Sequence, residues 1–162
     1  MPASRPPVTS ARFRQLCGRF ATGVVVITTS DAGGEPAGMT ANSFTSVSLD
    51  PPLISVNIDR AADFHGAIVA ASTFVINVLE SQQEEVSRRF AGPATQRFDG
   101  IGYRQTGEGA IVLDGVVAAI ECELETSFDV GDHTIVVGRV VGGMTHDARP
   151  LLYFRGGYHT LS

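Results

Sequence analysis

Residues 40–48 read Thr-Ala-Asn-Ser-Phe-Thr-Ser-Val-Ser, and residues 49–59 read Leu-Asp-Pro-Pro-Leu-Ile-Ser-Val-Asn-Ile-Asp. Small hydroxyl and amide side chains crowd the first run and recur at Ser55 and Asn57 in the second. Such a wall suits a flat heteroaromatic ring with one edge of alternating donors and acceptors and an apolar far end, as in an isoalloxazine. Short side chains let backbone N–H and C=O groups approach the ring edge, and hydroxyls can reach a phosphate. Arg60 comes next, ahead of an expected helix start near Ala62. A guanidinium beside a helix N-terminus makes a phosphate site. A Ser/Thr-rich edge strand with no ligand has the same composition, and an isolated Arg60 is equally a solvated surface charge.

Other familiar chemistry is missing from the chain. There is no Gly-x-Gly-x-x-Gly fingerprint, no phosphate loop ending in Gly-Lys-Ser/Thr, and no Gly-x-Ser-x-Gly nucleophile turn. His65, His133, His146 and His159 are not spaced as metal ligands, and no zinc-type Cys/His cluster occurs, so no metal is expected. An enzymatic reading must then rest on chemistry without a side-chain nucleophile. Hydride transfer between two cofactors meets that condition.

The elements that must position these residues are mainly strands. Ser10 caps a short helix whose apolar stripe is Phe13, Leu16, Cys17 and Phe20. Val24–Ile27 is a β-branched run expected to be buried on both faces. Residues 31–36 form a hairpin turn, and the return strand is expected to run through Gly38 to about Val47. Asp50-Pro51-Pro52 breaks the chain. Alternation over 53–58 puts Ile54, Val56 and Ile58 on one face and Ser55 and Asn57 on the other. A helix is expected over 62–71, a strand over 74–79, and a capping box at Ser81–Glu84 opening a helix with Val86 and Phe90 inward. Residues 92–109 are rich in loop formers. Strands follow over 116–126, 134–141 and 151–154. The strands do not alternate one for one with helices, which argues against a doubly wound sheet. Residues 1–9 read as a flexible tail and 10–162 as one domain.

Composition narrows the partners. Seventeen acidic residues against twelve basic ones give a net charge of −5, which disfavours a nucleic-acid partner. All the basic residues are Arg, the better fork for a single bound phosphate. No stretch is long and apolar enough for a membrane span, and the N-terminus lacks a signal-peptide core, so a cytoplasmic location is expected. Cys17 and Cys122 are expected to be reduced core thiols.

The runs Phe20–Thr29, Gly38–Ile58, Phe74–Leu79, Gly131–Val140 and Leu151–His159, in that order, resemble the short-chain flavin reductase family. These are the reductase components of two-component flavin monooxygenases. The resemblance covers nearly the whole chain from about Phe13. It implies a mainly β fold, the FMN-binding split β-barrel, antiparallel and Greek-key-like with a few peripheral helices. It implies a homodimer, FMN or FAD as the flavin, NADH or NADPH as donor, and a separate flavin-dependent oxygenase as partner. Carried over by position, Thr40, Ala41, Asn42 and Ser43 would line the isoalloxazine, and Ser46 would serve the ribityl chain or phosphate. Ser55, Val56 and Asn57 would continue the wall, with Arg60 toward the phosphate. Arg97 and Phe98 would be the family's basic-aromatic pair over the flavin. His133, in the Gly131-Asp132-His133 turn, would position the nicotinamide; a turn histidine satisfied by Asp132 is the alternative. Where the family often carries a second basic residue near the C-terminus, this chain has Gly157. Two other readings keep the barrel: a flavin-bound reductase of another acceptor such as a corrinoid, or a non-catalytic flavin- or haem-binding protein.

Overall fold

The computed structural model describes residues 5–107 and 109–162; the first four residues of the expected tail lie outside it. The chain runs α1 (Ser10–Cys17), β1 (Thr22–Gly23), β2 (Val25–Ser30), β3 (Pro36–Ala41), β4 (Thr45–Leu49) and β5 (Pro52–Asp59). It continues through α2 (His65–Ala70), β6 (Thr73–Val78), α3 (Glu84–Ala91), β7 (Tyr103–Gln105) and β8 (Ile111–Leu113). It ends with β9 (Ala118–Val130), β10 (His133–Thr145), β11 (Leu151–Phe154) and β12 (Gly157–Thr160).

Seven strands form one antiparallel sheet in the order β3-β2-β6-β9-β10-β5-β4. Its two edge strands, β3 and β4, are consecutive in sequence, so the short corner between them crosses the seam and closes a barrel. This is the split-barrel architecture that the family resemblance implies. The expected single strand from Gly38 to Val47 is in fact two, broken at Asn42–Phe44 because each half pairs with a different edge. The Asp50–Pro51 peptide between β4 and β5 is cis.

β2 is buried on both faces because two cores meet across it. Val25, Ile27, Ile54, Val56, Ile58, Phe74 and Val136 fill the barrel interior. Val24, Val26, Val75, Phe90 and Leu113 form an outer layer beneath α3 and the β7–β8 hairpin. Asn77 is wholly buried in this region. Its amide donates to the Val26 carbonyl and to Thr28 Oγ1, and it accepts the Leu113 N–H at 2.9 Å. A buried amide with its bonds made costs little and holds the strands in register. Gly38 is needed for packing: a Cβ there would stand 2.8 Å from the Phe90 ring.

Further expectations are corrected. Thr9, not Ser10, caps α1, its Oγ1 accepting the Arg12 N–H at 3.2 Å. Ser81 does not cap α3; its hydroxyl bonds to Glu80, and the helix begins after Gln83 with no side-chain cap. The helix expected over 62–71 is only six residues long. Cys17 is exposed while Cys122 is buried, because α1 contributes no buried residue to either core. Desolvation pushes the Cys122 thiol up to about 12.

Candidate functional site

The barrel seam gathers the predicted polar wall. Thr40 and Ala41 pair with Val26 and Val25 in β2; the chain then turns, and Thr45 pairs with Ser55 in β5. Ser43, in the corner between, has its hydroxyl on β5. Its Oγ accepts the Asn57 N–H at 2.9 Å and donates to the Asn57 carbonyl at 3.2 Å. Both backbone groups of Asn57 are thereby satisfied, and the Asn57 side chain is free and exposed. Asn42 is exposed beside it and Ser55 is half-buried. The alternation along β5 holds: Ile54, Val56 and Ile58 point inward. That corrects one expected ligand contact, because Val56 is fully buried among the barrel-core residues and its side chain cannot line the wall.

Thr40 is partly committed. Its hydroxyl donates to the Ser87 carbonyl in α3 at 2.6 Å, which holds the end of β3 against that helix. Ser46 pairs with Ile54, on the side of Asn57 away from Arg60. From Ile54 to Arg60 a strand rises ~20 Å. One phosphate therefore cannot touch both Ser46 and Arg60.

Arg60 and His133 are brought together at the other end of β5. His133 faces Asp59 in the β10–β5 register, and the Arg60 N–H donates to the Asp132 carbonyl at 3.0 Å. The Arg60 guanidinium, about half exposed, stands 3.7 Å from Asp129. Asp129 in turn accepts the Thr134 hydroxyl at 2.6 Å, and Thr134 Oγ1 lies 2.8 Å from His65 Nε2. This chain of contacts steadies Arg60 from behind without neutralising it in water. No sequence signal pointed to His65 or Thr134 as its supports, because 69 residues separate them. The helix N-terminus expected beside Arg60 is not there: the Ala61 and Ala62 N–H groups are both taken by Asp59, and α2 starts only at His65.

His133 Nδ1 lies 2.7 Å from Asp132 Oδ1, and this hydrogen bond holds the Asp132 carboxyl below the usual range. The His133 ring is about two-fifths exposed, so its other nitrogen remains available.

Arg97 and Phe98 are placed differently from expectation. The Arg97 guanidinium is buried, and its donors go to the carbonyls of Gly38 and Gly92 and to both carboxylate oxygens of Asp63. No donor is left for a ligand. Phe98 packs edge-on against Phe90, with centroids 4.9 Å apart, and against Tyr103. The pair is therefore an internal clamp that fixes the 92–102 loop to β3, two residues before Thr40. Tyr158 belongs to the same support: its hydroxyl lies 2.7 Å from Ser87 Oγ, and Arg88 covers its ring. Among the described residues, no group of three or more His, Cys, Asp or Glu side chains is arranged to hold a metal ion.

A closed antiparallel barrel with a polar seam and few helices defines the split-barrel class of flavin-handling proteins. The chain belongs to the flavin reductase like domain family of oxidoreductases, whose pattern matches residues 17–162. It is 44% identical over 148 residues to a probable flavin reductase of Rhizobium meliloti, covering 91% of this chain and 48% of that protein. It is 38% identical over 148 residues to the reductase subunit of a flavin-dependent monooxygenase of Rhodococcus jostii, covering 91% and 75%. The solved NADH:FAD oxidoreductase of Streptomyces globisporus, in complex with NAD and FAD fragments, superposes with a TM-score of 0.89 at 36% identity, over 94% of this chain and 92% of that one. The chain thus spans about half the length of the first of these relatives and most of the others.

Proposed function

We propose that this protein is an NAD(P)H-dependent flavin reductase that supplies reduced flavin to a separate monooxygenase. The observation that carries the reading is the seam: Asn42, Ser43, Ser55 and Asn57 form one polar wall, and β5 leads from it to a half-exposed Arg60. These residues fit a flavin, with amide and hydroxyl groups at the ring edge and a guanidinium for the phosphate of FMN or FAD. When bound, the flavin supplies the acceptor for a hydride from C4 of the nicotinamide of NADH or NADPH, taken up at flavin N5.

The protein's part is positioning. Ser43 and Asn57 fix the wall, and stacking the two rings at roughly 3–3.5 Å gives near-attack geometry. His133 lies on the neighbouring strand, level with Asp59, and its free ring nitrogen can hold the nicotinamide carboxamide or ribose. No side chain needs to accept or release a proton in the hydride step. The test is single-turnover reduction of bound flavin by NADH in wild type and His133→Ala. The reading expects a slower reduction and a weaker NADH dependence with flavin affinity retained; identical traces would return His133 to a turn residue satisfied by Asp132.

The assembly we propose is a homodimer acting in the cytoplasm. Phe13, Leu16, Leu49 and Phe128 are large apolar side chains left exposed on a single chain, a pattern that fits burial by a second copy. No helix of the described residues is long and apolar enough to cross a membrane. Kinship with monooxygenase reductase subunits supports an oxygenase as the consumer of the reduced flavin. Light scattering at micromolar concentration tests the dimer, and a strict monomer would contradict it.

A further inference from the structure

Arg60 stands among three aspartates, and its guanidinium bonds to none of them. Asp59 precedes it in the chain, and Asp132 accepts its backbone N–H through a main-chain carbonyl at 3.0 Å. Asp129 Oδ2 lies 3.7 Å from its Nη1. Among the described residues the guanidinium makes no side-chain hydrogen bond, and Asp129 is its one ion-pair neighbour. A guanidinium offers five donors, and a carboxylate free to turn beside it would close to a charge-assisted bond.

Each of the three carboxylates is tied to another donor. Asp59 Oδ1 accepts the Ala61 N–H at 2.8 Å. Asp132 Oδ1 is bonded to His133 Nδ1 at 2.7 Å. Asp129 Oδ1 accepts the Thr134 hydroxyl at 2.6 Å. The tie to Asp129 is the most constrained, because Thr134 is buried and stands between Asp129 in β9 and Ile58 in β5. A hydroxyl has one proton and a carboxylate can only accept, so the Thr134 proton belongs to Asp129. Thr134 Oγ1 must then accept from His65 Nε2, 2.8 Å away. His65 is thus the donor that aims the hydroxyl, and the bonds run from His65 to Thr134 to Asp129. Alternation puts the Phe128 side chain on the opposite face of β9, so a subunit contact through Phe128 does not call on Asp129.

A phosphate at Arg60 meets the attraction of one guanidinium and the repulsion of the carboxylate beside it. We infer that Asp129 is a specificity-determining residue that limits the affinity of this site for the flavin phosphate. Thr134, aimed by His65, is its positioning residue. It holds Asp129 near enough to weaken the grip on phosphate and too far off to neutralise Arg60. This rests on the role proposed above for Arg60. It also fits a reductase whose reduced flavin must leave for another protein, since a phosphate clamp without the opposing charge would retain it.

The test is calorimetric titration with FMN and with riboflavin, at low salt, of wild type, Asp129→Asn, Thr134→Val and the double variant. Asparagine keeps an oxygen for the Thr134 hydroxyl and removes the charge. Asp129→Asn should tighten FMN by about two- to fivefold, the range of an exposed charge pair, and leave riboflavin unchanged. The gain should shrink in about 1 M salt. Thr134→Val should weaken FMN by a similar factor, because the released carboxylate closes on Arg60. Adding Asp129→Asn should bring FMN back to the wild-type affinity or tighter. A merely structural role for Thr134 would weaken both flavins and would not be reversed by Asp129→Asn; that result would overturn the positioning role. Asp129 is about two-thirds exposed, so its variant tests the limit on affinity even if the valine variant does not fold. FMN affinity unchanged or lowered by Asp129→Asn would overturn the inference. Arg60→Ala separates this from the reading beneath it. If that variant weakens FMN and riboflavin equally, Arg60 does not see the phosphate and both fall. If it weakens FMN alone while Asp129→Asn changes nothing, the phosphate role stands and the inference about Asp129 falls.

Discussion

Ser43 and Asn57 carry the β4–β5 pairing into the corner: one hydroxyl satisfies both the N–H and the C=O of a residue fourteen positions away, at 2.9 and 3.2 Å. The contact couples fold to site, since the corner that carries Asn42 is held to β5 by it. Ser43→Ala should cost about 0.5–1.5 kcal/mol of stability, lowering Tm by a few degrees, and should weaken flavin binding more than the stability loss explains. A flavin titration alongside a thermal melt measures both. Reduced stability with unchanged flavin affinity would separate the seam from the site.

The proposed role of Arg60 is to read the flavin phosphate. Arg60→Ala should lower FMN affinity by about tenfold or more, the loss of a charge-assisted bond worth about 1.5–3 kcal/mol. Riboflavin, which has no phosphate, should bind as before. Equal losses for both flavins would show that Arg60 does not see the phosphate. Ser46 would then be the next residue to test, because it stands at the opposite end of the wall.

The Arg97 donors tie β3 to the 92–102 loop and to Asp63. Arg97→Lys should fail to rescue the clamp, because an ammonium cannot span the Gly38 and Gly92 carbonyls and both oxygens of Asp63. Stability should fall by about 1–3 kcal/mol, the half-exposed Asp63 side chain limiting the loss. Chemical denaturation measures this. A lysine variant as stable as wild type, with a large specific loss of flavin affinity, would restore Arg97 as a ligand contact.

The two thiols should behave oppositely. Burial raises the Cys122 thiol to about 12, so it stays protonated at neutral pH, while Cys17 is exposed. A thiol-specific reagent should modify one cysteine per native chain and two in denaturant. Two fast reactions in the native state would mean that β9 opens readily. A native chain with no reactive thiol would mean that α1 is covered, as the proposed dimer could bring about.

The wall was legible because period-two alternation sorts β5 by itself: Ser55 and Asn57 outside, Ile54, Val56 and Ile58 inside. The same rule, followed strictly, excludes the Val56 side chain from the ligand. The dominance of strands was legible from dense β-branched runs, and the barrel only from the family resemblance. Its seam was not, since nothing local marks Asn42–Phe44 as the point where a strand changes partners; that depends on which edges lie free in the sheet. Arg97 was expected over the flavin from the resemblance alone; its donors go instead to Gly38, Gly92 and Asp63, and the Asp63 partner, 34 residues away, leaves no local signal. Likewise the α1 stripe has helical spacing, but whether an apolar face meets a core or a second molecule is decided by tertiary structure.

The most direct test of the central claim is anaerobic mixing of the purified protein and oxidised FMN or FAD with NADH or NADPH, followed by the visible absorbance of the oxidised flavin. A flavin reductase removes that absorbance at a rate proportional to protein and saturating in both flavin and dinucleotide, with no oxygenase needed. A rate no greater than that of flavin and dinucleotide mixed without protein would contradict it.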